Sequence, residues 1–163
     1  MKLKFVRNFF VSVGFLGYFP YASGTITSAA IAVVYYFFFD FLSPQHQVLF
    51  LPNFLLFSSI LILTLIFVPI IKSAEKDWGR DSKKIVIDEV LGYLVAVLFM
   101  PHSLLVAIYA FITFRIFDIA KPPIIDEVQL LPHGWGVILD DLLAGLYANI
   151  TLQMINLFFP RFF

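Results

Sequence analysis

The chain has no cysteine, which excludes disulfides, thiolate nucleophiles and cysteine-based zinc sites. Histidine is scarce: His46, His102 and His133 are isolated from one another, so a phosphohistidine mechanism has little support. Charge is scarce as well. Asp, Glu, Lys and Arg make up 13% of the chain, against about 25% in an ordinary soluble domain. From Asn8 to Ile71 the sole charged residue is Asp40. The net charge is zero, so no basic surface argues for nucleic acid. A G-x-x-x-x-G-K-[ST] phosphate loop is missing, and no internal repeat or low-complexity tract is evident.

What the chain has in excess is apolar surface. It is 61% hydrophobic with a mean hydropathy of +0.93, where soluble domains are roughly 45–50% apolar. These values predict an all-α, polytopic integral membrane bundle forming one domain over residues 1–163, with about four to five membrane-embedded helices. Long Leu-, Ile- and Phe-rich runs without period-2 alternation favour helices over a membrane barrel. Candidate spans cover 27–42, 48–71, 104–119 and 137–159, with 85–100 left open between crossing and re-entering, and about 20 residues suffice to cross. Lys2, Lys4 and Arg7 precede an apolar stretch ending near Pro20, followed by Ala22-Ser23-Gly24. This stretch reads either as a signal peptide with a small-residue cleavage site or as a membrane-surface segment. Residues 72–84 are a hydrophilic loop, 101–103 a turn, and 121–136 a polar connection containing Pro and Gly.

Basic residues set the orientation. They cluster at the N-terminus (Lys2, Lys4, Arg7) and in the 72–84 loop, while the turns at 40–47 and 101–103 have none. The positive-inside rule then puts the N-terminus, the 72–84 loop and the 121–136 connection in the cytoplasm. Arg161 alone disagrees. With that topology, Gly24-Thr25, Asp88-Glu89, Arg115/Asp118/Lys121 and Asp140-Asp141 all fall at cytoplasmic ends of apolar segments. Four stretches scattered in sequence converge on one membrane face.

Carboxylates inside apolar runs are expensive, about 2.5–3.5 kcal/mol each at the bilayer centre, so Asp88, Glu89, Asp140 and Asp141 read as a functional site. Clustered acids repel unless a cation or proton compensates. Oxygen ligands with no Cys and little His suit Mg²⁺ or Mn²⁺. Interfacial ion pairing is the plainer alternative. Arg115, Asp118 and Lys121 at i, i+3, i+6 would share a broad helix face, fit to bind phosphate or to form a self-neutralising stripe. Thr25 and Ser28 stand where an apolar helix begins, as ordinary caps or as phosphate donors. Carboxylates at membrane depth also serve proton or ion relays, so a small ion- or proton-translocating membrane protein is the alternative function. A relay would need polar groups through the full bilayer depth, and here they stop at one side.

Four blocks then match a known family. They are Ala22-Ser-Gly24-Thr25-x-x-Ser28, Asp81-x-x-x-Ile85-Val-Ile-Asp88-Glu89-x-x-Gly92, Phe114-Arg115-x-Phe117-Asp118-Ile119-x-Lys121-Pro122 and Gly134-Trp-Gly136-Val-x-x-Asp140-Asp141-x-x-Ala144-Gly145. In that order the chain resembles the phosphatidylglycerophosphatase A family, Mg²⁺-dependent membrane phosphatases, from about Gly14 to Ala148. The family usually has Pro at Ser23, Gly at Thr27, Pro at Ile124, and Gly at His133; no charged residue is lost.

The resemblance implies hydrolysis of phosphatidylglycerophosphate to phosphatidylglycerol and phosphate, in phospholipid biosynthesis at the bacterial inner membrane, with the site facing the cytoplasm. The expected roles follow. Asp88, Glu89, Asp118, Asp140 and Asp141 would hold Mg²⁺ and carry catalysis. Thr25, Ser28, Arg115 and Lys121 would bind the substrate phosphate, and Asp81 would stand behind them. The implied partner is a phospholipid in the bilayer.

Overall fold

The computed structural model describes residues 2–42, 50–159 and 162–163. Residues 43–49, which include His46, most of the 40–47 turn and the start of the expected 48–71 span, lie outside the described residues, as does Arg161. All regular structure among the described residues is helical: α1 (Lys2–Val11), a 3₁₀ turn at Leu16–Tyr18, α2 (Ser23–Leu42), α3 (Phe50–Trp78), α4 (Ile87–Ala96), α5 (Leu104–Ala120), α6 (Pro123–Val128) and α7 (Trp135–Phe158). Among these residues, α3 and α7 are long and apolar enough to cross a membrane. At 1.5 Å per residue they measure roughly 43 and 36 Å, against a hydrocarbon core of about 30 Å.

One alternative the sequence leaves open is decided, and two expectations are corrected. The segment 85–100 is not one span: α4 stops at Ala96, so it is only about 15 Å long and cannot cross. The 72–84 loop starts later than expected, because α3 carries helix through Lys72, Lys76 and Asp77 to Trp78. Lysines in the last turns of a helix are favoured by its dipole, and Pro69 sits inside α3 without ending it. The 121–136 connection contains α6, with Pro123 at the first helical position, where a missing N–H costs nothing.

The early stop of α4 leaves backbone groups to be satisfied inside an apolar body, where each unpaired one is costly. Asparagines on neighbouring helices do this. The Asn149 amide on α7 donates to the carbonyls of Ala96 and Leu98, at 3.0 and 2.7 Å. The Asn53 side-chain oxygen on α3 accepts from the Phe99 N–H at 2.7 Å. Phe99 itself has φ +58, which turns the chain toward Ser103, whose side chain caps α5 by accepting from the Val106 N–H at 3.1 Å. His102, expected in an outer turn, is buried with its ring stacked on Tyr36 and tilted against Tyr35.

The central packing is α4 on α7, and glycine makes it possible. A Cβ on Gly145 would sit on the Gly92 carbonyl, and one on Gly92 would lie 2.6 Å from both the Asp141 carbonyl and the Phe114 ring. Small residues bring membrane helices this close because dispersion, rather than hydrophobic expulsion, joins them. Tyr93, Phe114, Ala144, Ala148 and Leu152 fill the core beside this crossing. A second cluster of Val11, Ile71, Leu91 and Ile138 ties α1 and α3 to the same pair. At its polar end α1 is fastened by ion pairs from Lys4 and Arg7 to Asp77, at 3.0 and 2.7 Å.

Asn149→Leu would strand two carbonyls in an apolar setting. It is expected to lower stability in detergent by about 1–3 kcal/mol, seen as an earlier thermal unfolding transition; an unchanged transition would show that the α4 end does not depend on Asn149.

Candidate functional site

Five pieces of chain meet at one end of the bundle around a cleft of about 340 Å³. α2 brings Ser23 and Gly24, and the loop before α4 brings Asp81, Ser82 and Lys83. The first turn of α4 gives Asp88 and Glu89, the end of α5 gives Arg115, Asp118 and Lys121, and α7 gives Asp140 and Asp141. The predicted convergence is therefore real in three dimensions. The entry to α4 is held in place from two sides: the Ser23 hydroxyl donates to the Lys83 carbonyl at 2.8 Å, and the Val86 N–H donates to the Val11 carbonyl at 3.0 Å.

Within each acidic pair the two carboxylates do different things, because neighbours on a helix point about 100° apart. Asp88, Glu89 and Asp141 each turn an oxygen to one point, with these atoms within 4.8 Å of one another. Asp88 and Asp141 are buried, and Glu89 Oε2 and Asp141 Oδ2 have no hydrogen-bond partner. Carboxylates this close repel unless a cation or a proton lies between them. Orphaned buried oxygens with no nitrogen or sulfur donor among them fit a hard cation such as Mg²⁺ or Mn²⁺.

The other members of the expected acidic set are already paired with cations. Asp118 lies 2.6 Å from Arg115 Nη1, and Asp140 lies 2.6 Å from Lys121 Nζ. Arg115 Nε is buried without a hydrogen-bond partner. Lys121 does not share a helical face with Arg115 and Asp118, as the spacing suggested. It lies past the end of α5 at φ +40, and this left-handed step, ahead of Pro122, swings its side chain to Asp140 and to Gln129 Oε1 at 2.7 Å. Burial alone would lower the Lys121 pKa, but the hydrogen bond to Asp140 and the fields of Asp140, Asp81 and Asp118 outweigh it and hold it above the ordinary lysine value. Lys121 is a firm cation.

The structure brings Asp81, Asp88, Glu89, Arg115, Asp118, Lys121, Asp140 and Asp141 together, but not Thr25 and Ser28. Those two do not line the cleft, since α2 begins at Ser23 and they already belong to its first turns. The Ser28 hydroxyl instead donates to the Gly24 carbonyl at 2.8 Å. Gly24 reaches the site as bare backbone: a Cβ there would collide with Glu89 Oε1 and lie 3.2 Å from Arg115 Nη1. Sequence reasoning missed Lys83 and Gln129. Lys83 stands five residues before Asp88 in the basic loop and could have been noticed; Gln129 carries no sequence signal, and only the fold of α6 brings it to Lys121. His133, where the resemblance leads one to expect glycine, has φ +67, a backbone region that glycine enters without steric cost.

A helical, apolar bundle with two helices long enough to cross a membrane and an acidic cleft flanked by Arg and Lys has the make-up of a membrane-associated protein. The comparisons with known proteins are more specific. The family model described as Phosphatidylglycerophosphatase A matches residues 9–156, and the chain belongs to that family. A Bacteroides thetaiotaomicron protein named "Putative phosphatidylinositol-3-phosphatase" is 32% identical over 141 residues, covering 85% of this chain and 86% of that protein. A Haemophilus influenzae protein named "Phosphatidylglycerophosphatase A" is 38% identical over 79 residues, 47% of this chain and 48% of that one. No solved structure matches the chain significantly. The chain is thus a phosphoric monoester hydrolase of the phospholipid-phosphatase kind.

Gly24→Ala should displace the flexible Glu89 carboxylate rather than any backbone. The expected result is a fall in phosphatase turnover of about tenfold, or ~1.4 kcal/mol of barrier, with the thermal transition nearly unchanged. Full turnover in this variant would show that Glu89 has room to spare.

Proposed function

We propose that the chain hydrolyses phosphatidylglycerophosphate to phosphatidylglycerol and inorganic phosphate, with Mg²⁺ bound by Asp88, Glu89 and Asp141. The observation that carries this reading is the meeting of that triad with Arg115 and Lys121 in one cleft at the end of an apolar bundle. When bound, the cation supplies charge neutralisation and Lewis-acid polarisation of the phosphoryl group.

The chain's own residues supply the rest. Arg115 offers a planar fork and Lys121 a point charge to the phosphoryl oxygens, so negative charge building on phosphorus is met by groups already in place. Asp118 and Asp140 position these cations and keep them from collapsing onto the triad. Lys83 adds a third cation at the rim, and Asp81 stands beside it, where its charge acts on Lys121. In the reaction a water oxygen bonds to phosphorus, the phosphorus–oxygen ester bond breaks, and the glycerol oxygen leaves with a proton. The chain has no Asp-x-Asp nucleophile motif, which favours water over an aspartyl-phosphate.

The same reading places the protein in a bacterial inner membrane. In it α2, α3, α5 and α7 form the membrane body, α4 enters from the cytoplasmic side and turns back, and α1 lies along that face. Exposed Leu3, Phe5, Val6 and Phe10 beside Lys2, Lys4 and Arg7 suit α1 to the membrane interface. The basic residues at 72–84 favour a cytoplasmic cleft. The substrate is a bilayer phospholipid, and nucleic acid has no place in the scheme. A second substrate, a 3-phosphorylated phosphatidylinositol, is suggested by the name of the Bacteroides relative; it presents the same phosphomonoester.

Phosphate release from both lipids, with and without EDTA, tests the proposal. Release is expected from phosphatidylglycerophosphate, to vanish with EDTA and return with Mg²⁺. Asp88→Asn and Asp141→Asn should each abolish it while the protein stays folded in detergent. Near-normal turnover in either variant would sink the metal-site assignment. Orientation has its own check: in inside-out vesicles protease should cut within 72–84, and protection there would reverse the topology.

A further inference from the structure

We propose that a groove between α2 and α5 seats an acyl chain of the same phospholipid whose phosphate is processed in the acidic cleft, making it a determinant of chain-length preference. The proposal rests on the phospholipid-phosphatase reading. The groove encloses about 370 Å³ and is walled by residues including Ala29, Ala32 and Tyr36 of α2 and Ala107, Ile108 and Phe111 of α5. Alanine at three of these positions leaves room that larger side chains would fill.

Continuity with the cleft identifies the occupant. Asp118 and Arg115 line the cleft, and Phe111, Ile108 and Leu104 line the groove. On α5 these five follow spacings of three and four, so they form one unbroken helix face. Phe111 lies one turn, about 6 Å, below Arg115. Gly24 of α2 is packed beside Arg115, so α2 and α5 wall both the cleft and the groove. A lipid with its phosphate at Arg115 therefore has an apolar track starting one helical turn away. The track extends at least from Ala29 to Phe37, roughly 12 Å, so a long acyl chain can run its whole length and a very short one leaves its far part empty.

The test uses the full chain in detergent and measures phosphate release from dipalmitoyl and dihexanoyl phosphatidylglycerophosphate. Ala32→Phe narrows the groove from α2, and Ile108→Trp does so from an exposed position on α5. For both variants KM for the dipalmitoyl substrate should rise by about tenfold with kcat little changed, which is the signature of lost uniform binding. KM for the dihexanoyl substrate should stay within about twofold, also showing that the cleft is intact. A parallel change for the two substrates in Ile108→Trp, or no change for either, would overturn the groove while leaving the phosphatase reading standing. Absence of release from both substrates by the unaltered protein would instead overturn the reading on which the proposal rests.

Discussion

Carboxylates held at the edge of an apolar bundle are the constraint on which the rest of this structure depends. Each unpaired charge there is costly, and the five acids that helices bring into one cleft would drive those helices apart without compensation. The fold answers in two ways. Arg115 and Lys121 neutralise Asp118 and Asp140 directly. Asp88, Glu89 and Asp141 are left facing one another, an arrangement that makes physical sense around a bound cation or a shared proton. A stability liability and a chemical capability are here the same feature.

Meeting that constraint dictates the awkward parts of the backbone. Asp88 and Asp141 can approach only if α4 and α7 pack backbone to backbone, which Gly92 and Gly145 permit. α4 is short, and its exposed carbonyls are covered by Asn149 on the same α7 that carries Asp140 and Asp141. One helix therefore supplies the acidic pair, the close crossing and the cap for its neighbour. The proposed acyl-chain groove is walled by the other two helices, α2 and α5.

Much of the site was legible in the sequence because charge in an apolar run is conspicuous. The four acidic residues of the two pairs, with Arg115, Asp118 and Lys121, stand out without any structure, and the charge bias alone brought them to one face. What could not be read was the division of labour. Adjacent acids differ in role only through helix phase and neighbours, so the split of five carboxylates into a triad and two ion-paired members is tertiary. Thr25 and Ser28 stay out of the cleft lining for a related reason: hydroxyls near a helix start have a local partner in the helix backbone, and Ser28 takes it.

The sequence by itself determined the helical class, the apolar body and the inventory of charges, since these depend on composition and on spacing along one chain. It did not determine that 85–100 would break at Ala96, because that break is stable only with Asn53 and Asn149 placed against it from distant helices. Nor did it determine Lys121's reach to Asp140 and Gln129, which comes from a left-handed residue before a proline. The acidic residues were written in the chain; which of them face one another without a cationic partner was decided by packing, because only packing sets which oxygens lose their partners.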